Sequence, residues 1–473
     1  MLTHLLLLSQ KRLLPFFLLT SYLSLLTILL VRPAFSQQRW ERNYGGTGAD
    51  YGYSVKQTQD GGYIVAGWTA SFGNSFQVYL IKTNVSGDTL WTRTYGGTND
   101  DRGYSVQQTS DTGYIVAGAT GSYGGQVYLV KTNATGDTLW TKTYGGTDYD
   151  YGFSVQQTSD TGYIIAGFTH SFGNGDQVYL IKTNASGDTL WTRNYGGTGE
   201  DRGLSIQQTS DMGYIVAGYT WSFGDSAQVY LIKTNATGDT LWTRNYGGTG
   251  GDRSWSVQQT SDTGYIVAGY TYSFGNLCQV YLVKTNASGD TIWTRNYGGA
   301  DYDWCYSVQQ TSDGGYIVAG EAYSFGQVYL IKTNASGDTI WTRTHGGAGY
   351  DEGYSVRQTS DGGYIVAGYT SSFGNGWQVY LVKTDANGNS GAEENTEVRG
   401  QKLEVRITAK PNPFTSFATL PGHEAERFGL YDVSGRKVGT FRGDRVGEGL
   451  SAGVYFLKPD KGVAKPLRIV KLR

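Results

Sequence analysis

The chain of 473 residues carries 38 Lys and Arg against 40 Asp and Glu, a formal net charge of −2. That balance gives no electrostatic footing for nucleic acid or for an anionic membrane surface. Only 16% of residues are charged, while Gly numbers 70 and Tyr 38; so much aromatic content excludes a disordered chain and suits a large, tightly turned all-β protein.

At the N-terminus, Lys11 and Arg12 precede an apolar run over 13–31, and Ala34-Phe35-Ser36 supplies small residues at the usual −3 and −1 positions. This pattern predicts a secretory signal peptide over 1–36, cut after Ser36. The run is also long enough to span a bilayer, so an uncleaved anchor is the alternative. No later stretch is apolar enough to cross a membrane.

From Trp40 onward a unit of about 50 residues recurs, marked by Trp40, Trp91, Trp140, Trp191, Trp242, Trp293 and Trp341. A fixed period of this length signals a repeat architecture. Each unit holds four runs rich in Val, Ile, Tyr, Thr and Trp between Gly, Asp, Asn and Ser turns, and these read as strands. In the first unit they are strand a (53–58), strand b (63–69), strand c (77–83) and strand d (89–95). The a–b turn, Gln59-Asp60-Gly61-Gly62, has Asp to cap it and Gly where φ is positive. Strand b is apolar on both faces, as in the middle of a packed stack, and its small Ala66-Gly67 is expected to let neighbouring sheets approach closely.

A four-stranded antiparallel sheet at this period is a β-propeller blade; an open β-solenoid would use shorter coils of parallel strands. Strands a, b and c occur seven times, the last c run being 378–384, but strand d follows only six of them. The missing copy stands at the other end, over 40–46. The prediction is an all-β, seven-bladed propeller over 37–388 whose N-terminal strand completes the last blade and leaves no open edge.

The repeats offer little chemistry. Histidine occurs only at His4, His170, His345 and His423, and no Ser-His-Asp set, zinc-spaced cluster or phosphate-binding Gly loop can be assembled. No catalytic residue, metal or cofactor is expected. His345 replaces the strand d tyrosine (Tyr95, Tyr144) and reads as structural. Asp50, Asp101, Asp150, Asp201, Asp252, Asp303 and Asp351 recur once per unit and read as loop caps. With Asp100, Asp148, Glu200 and Asp301 nearby, calcium is the lesser alternative. The turn 58–62 faintly resembles the Asp-box turn of sialidase-like propellers, without its aromatic residue. Such an enzyme would need Arg102, Arg202 and Arg253 to converge. Cys278 and Cys305 form a possible disulfide in an exported protein, or stay as inert thiols.

Variation between copies concentrates in the d–a and b–c loops, which an up-and-down blade places at one end of the ring. The residue after the recurrent Asp runs Tyr51, Arg102, Tyr151, Arg202, Arg253, Trp304, Glu352; the residue before Ser-Phe-Gly or its equivalent runs Ala70, Gly121, His170, Trp221, Tyr272, Tyr323, Ser371. Trp, Tyr and Arg dominate recognition surfaces, and loops on a rigid scaffold carry binding. These positions predict a binding face for glycan or protein, centred on Trp221, Tyr272, Trp304 and Tyr323, with Arg102, Arg202 and Arg253 beside it. A solvated loop surface without a ligand is the alternative.

Residues 389–401 are polar, acidic and without period, a linker. Over 402–473, alternating runs at 403–407, 428–433, 453–457 and 467–472 indicate a small β-sandwich. Pro411-Asn412-Pro413-Phe414, the stretch 430–438 with Asp432, Gly435 and Arg436, the stretch 450–457 with Gly453 and Tyr455, and the basic ending 468–473 resemble the type A C-terminal sorting domain of the type IX secretion system. The resemblance covers this tail alone; the Pro-containing segment 458–466 departs from the pattern. It implies an Ig-like β-sandwich, a partnership with the type IX machinery, and delivery from the periplasm to the cell surface or medium. Together these readings predict an exported bacterial, non-enzymatic binding or adhesion propeller. The alternatives are a secreted glycosidase-like enzyme and a purely structural surface protein.

Overall fold

The computed structural model describes residues 39–121, 124–275, 277–323, 326–374, 376–391, 415–420, 427–432, 436–459 and 467–471. The expected signal peptide (1–36), Pro411, Asn412, Pro413 and Gly435 lie outside them. The chain divides into two units, Met1–Glu393 and Glu394–Arg473.

The first unit is a seven-bladed β-propeller of four-stranded antiparallel sheets. Blade 1 consists of Asp50–Gln57, Tyr63–Thr69, Gln77–Thr83 and Thr89–Tyr95. Blade 7 takes Asp351–Gln358, Tyr364–Thr370 and Gln378–Thr384 from the end of the repeats and Trp40–Tyr44 from their start. Trp40 pairs with Lys383 and Tyr44 with Val379. Strands b, c and d of blade 1 fall where the alternation places them. Strand a begins three residues before its expected start, because a β-bulge between Gly52 and Ser54 breaks the period of two and hides the true beginning at Asp50.

The same bulge explains Gly67. A Cβ there would lie 1.6 Å from the carbonyl oxygen of Tyr51 on the adjacent strand. The neighbouring sheet comes close as well, as the sequence suggested: a Cβ at Gly103 of blade 2 would lie 2.9 Å from Gly67 O. The a–b turn has positive φ at Gly61 (81°), as expected, yet Thr112, Thr161, Met212 and Thr263 adopt the same conformation in other blades. Asp60 holds that turn by accepting from the Gly62 N–H (3.0 Å) and by pairing with the buried Lys82 ammonium (2.9 Å).

Strand b of blade 1 is buried throughout, and the core lies between blades. Ile64, Ala66, Val78 and Leu80 of blade 1 pack on Val106, Tyr114 and Val116 of blade 2. Each strand d Trp meets the strand b Tyr of the next blade edge-on: Trp91 with Tyr114 at 5.8 Å and, across the seam, Trp40 with Tyr63 at 5.7 Å. Around the axis, a serine in each strand a accepts the N–H of a residue in the next blade. Val106 donates to Ser54 (3.2 Å), and the series ends with Val55 donating to Ser355 (3.3 Å), which closes the ring. His345 packs in the outer strand beside Glu41 (3.4 Å), in line with a structural substitution.

In the second unit, Lys437–Arg442, Arg427–Tyr431, Gly453–Pro459 and Leu467–Lys471 form one antiparallel sheet in that spatial order. Ala418, Leu420, Phe428, Leu430, Val446, Leu457 and Ile469 are its buried core. Among the described residues this is a small sheet with one added bridge, Ala418 to Val446; the strand expected at 403–407 lies outside them. Asp432 and Arg436 close a turn, with Arg436 Nε 3.0 Å from Asp432 Oδ2, and the Tyr455 hydroxyl donates to Ser451 O (2.9 Å).

Candidate functional site

The loops of the variable end are held by the recurrent aspartates. Asp50 is fully buried. It accepts from the Gly46 N–H (2.9 Å), from Ser71 Oγ (2.6 Å) and from Thr69 Oγ1. One carboxylate thus ties the d–a loop to the b–c loop, and both loops stand at the same end of the blade.

On that end, the residue after each Asp lies across from the next-to-last residue of strand b: Tyr51 opposite Trp68, Trp304 opposite Glu321, Glu352 opposite Tyr369. The bulge residue that follows forms an aromatic girdle inside the ring, with Tyr53 against Tyr104 (5.4 Å), Tyr354 against Tyr53 (4.7 Å) and Tyr306 against Tyr354 (4.7 Å).

Between blades 6 and 7 these positions enclose a cleft of about 450 Å³ lined by Trp304, Tyr306, Glu321, Tyr323, Tyr350, Glu352, Tyr354, Tyr369 and Trp377. Two of these lining residues carry carboxyl groups. Glu321 is 4% exposed; burial, then the charge and hydrogen bond of Glu352, push its pKa up to about 8. The Tyr354 hydroxyl donates to Glu352 Oε2 (2.7 Å) and the Tyr369 hydroxyl to Oε1. The Glu321 carboxyl is thus kept protonated at neutral pH, among the aromatic side chains that line the cleft.

Three of the four predicted aromatic residues come together here. Tyr272 lies 6.5 Å from Tyr302, which stacks on Trp304 at 5.7 Å; Tyr323 meets Trp304 edge-on at 5.8 Å. Tyr350 and Trp377 continue the surface at 6.5 Å. Trp221 is exposed in blade 4 and makes no ring contact among the described residues. The arginines serve separate blade boundaries: Arg102 lies over Phe76 (5.0 Å), Arg202 over Phe168 (4.3 Å) and Arg253 over Tyr219 (4.5 Å). Arg202 is further engaged by Asp176, to which its Nε donates at 2.7 Å. They do not converge as a sialidase would require.

That Asp176–Arg202 pair, with His170 Nδ1 3.0 Å from Asp176, lines a second cleft of about 560 Å³ at blades 3 and 4. The hydrogen bond to Asp176 raises the pKa of His170. Cys278 and Cys305 are free and buried, so the possible disulfide is not formed. Their thiols approach the carbonyls of Asp303 and Ser307, each at 3.7 Å. Among the described residues no group of three or more His, Cys, Asp or Glu converges as a metal site.

Sequence reasoning missed Glu321, Tyr369 and Trp377. Glu321 carried a signal: it stands where the other copies have Trp68, Ala119, Phe168, Tyr219, Tyr270 or Tyr369, and a lone carboxylate in an aromatic column is an exception to the repeat.

A family model described as "Domain of unknown function (DUF5122) beta-propeller" matches residues 359–389, within blade 7. No curated protein matches the chain. Similar solved structures include hydrazine synthase of Kuenenia stuttgartiensis, at 12% identity and TM-score 0.49, covering 69% of this chain and 94% of that one. The Pan2 WD40 domain of Neurospora crassa aligns at 9% identity and TM-score 0.46, covering 75% and 92%. BamB from Moraxella catarrhalis aligns at 14% identity and TM-score 0.38, covering 72% and 85%. The protein is a repeat β-propeller.

Proposed function

We propose that the propeller is a non-enzymatic saccharide-binding module and that its C-terminal unit carries it out of a bacterial cell by a type IX route. The observation that carries the first part is the cleft between blades 6 and 7. Aromatic faces such as those of Trp304, Tyr323 and Trp377 stack on the apolar faces of sugar rings, and the Glu321–Glu352 pair can both accept from and donate to sugar hydroxyls. Its volume of about 450 Å³ falls in the range of small-ligand sites.

The same two carboxyls raise a hydrolase as the second reading. Glu321 and Glu352 line the same cleft, and a pair of carboxyl groups is the machinery that glycosidases use.

The test is a glycan and surface-polymer screen on the purified chain. A saccharide hit lost on Trp304→Ala or Tyr323→Ala supports the reading; turnover of the bound sugar, abolished by Glu352→Gln, supports the hydrolase instead. The export half of the proposal rests on the four tail motifs in order. A periplasmic reporter fused to residues 402–473 is expected to reach the surface or medium of a type IX-competent bacterium and to stay inside when Gly453 and Tyr455 are replaced. Retention of the intact fusion would count against it.

A further inference from the structure

Two residues beyond the serine ring, strand a carries a second ring around the axis. Gln107, Gln156, Gln207, Gln258 and Gln309 each accept, through Oε1, the backbone N–H of the following blade at 2.6–2.7 Å. Blades 1 and 7, neighbours across the closing seam, break the series with Lys56 and Arg357. Neither side chain has an acceptor, so the N–H groups of Gln108 and Gln57, counterparts of those five donors, have no glutamine oxygen to meet.

Among the described residues the two cations have no counter-charge. Arg357 Nη1 donates to Val356 O (2.6 Å) and Ser307 Oγ (3.3 Å). The Lys56 ammonium makes no hydrogen bond, and neither residue pairs with a carboxylate, among the described residues. Both are half-buried. Burial, then the neighbouring Arg357, pulls the Lys56 pKa well below its usual value, and burial lowers that of Arg357 to about 10. Two like charges in a confined, partly desolvated place are costly unless an anion joins them. The strands that carry them are neighbours, joined just before them where Val55 donates to Ser355 (3.3 Å), and a guanidinium and an ammonium with N–H groups that lack their glutamine acceptor make up a donor set that holds an oxyanion.

We propose that Lys56 and Arg357 form a binding site for a small oxyanion group, carboxylate or sulfate, inside the ring at the end opposite the variable loops. The site is independent of the saccharide cleft.

Isothermal titration of the full chain with sodium acetate and with sodium sulfate, against sodium chloride at matched ionic strength, tests it. Saturable binding of at least one of the two is expected. The Lys56→Gln/Arg357→Gln double variant should raise its Kd at least tenfold, while Trp304→Ala leaves it unchanged. The double variant installs the residue that five blades already carry, so the fold is kept, as circular dichroism would verify. Preference for acetate points to a carboxylate ligand, and preference for sulfate to a sulfate ester. No saturable binding of either anion, or equal binding by the double variant, overturns the proposal.

Discussion

Single residues decide the behaviour of the cleft, and Glu321 decides most. Its carboxyl is protonated in the folded protein up to about pH 8, but titrates near 4.3 once unfolded. Between those values the folded state holds a proton that the unfolded state has released, so stability is full below about pH 4.5 and falls as pH rises toward 8. The loss is on the order of a few kcal/mol at most. Glu321→Gln keeps a donor toward Glu352 and removes the titration. Urea unfolding at pH 5 and pH 8 should show a decline for the parent chain and a flatter profile for the variant. Equal declines would mean that Glu321 is not the group whose titration sets the slope.

Elements show what repetition makes legible. Strands b, c and d of blade 1 match their expected bounds because Val, Ile and Tyr alternate cleanly against Gly-rich turns. The start of strand a was hidden by the bulge at Gly52, which shifts the side-chain alternation. The pairing of Asp60 with Lys82 was also invisible, since it joins residues 22 apart by a fold that neither residue announces. At the site, Trp304 and Tyr323 stood out by varying between copies. Glu321 is hidden by its place in a strand b, a core element in every blade, although its charge sets it apart there. The closing strand was predicted from a count alone, and it now has contacts to test. Trp40 is 6% exposed, meets Tyr63 across the seam, and its Nε1 donates to Val85 O (3.2 Å). Trp40→Ala is expected to cost about 3–5 kcal/mol, read from chemical denaturation. A change under 1 kcal/mol would show that the seam carries little of the stability.

For the whole molecule, the two ends of the propeller are built differently. The a–b and c–d turns repeat with little change and are built from the same Asp, Lys and Asn side chains in blade after blade. The opposite end uses the recurrent buried aspartates to fix loops whose exposed residues differ from blade to blade. That asymmetry, with Tyr272, Tyr302, Trp304, Tyr323, Tyr350 and Trp377 gathered on one side of the ring, is what the saccharide-binding account explains. Calorimetric titration of the purified chain with the saccharide that a glycan screen returns tests it most directly. Micromolar-to-millimolar binding is expected, weakened at least tenfold, about 1.4 kcal/mol, in both Trp304→Ala and Trp377→Ala, and unchanged in Trp221→Ala. Binding that survives both cleft substitutions, or a screen that returns no saccharide, would contradict it.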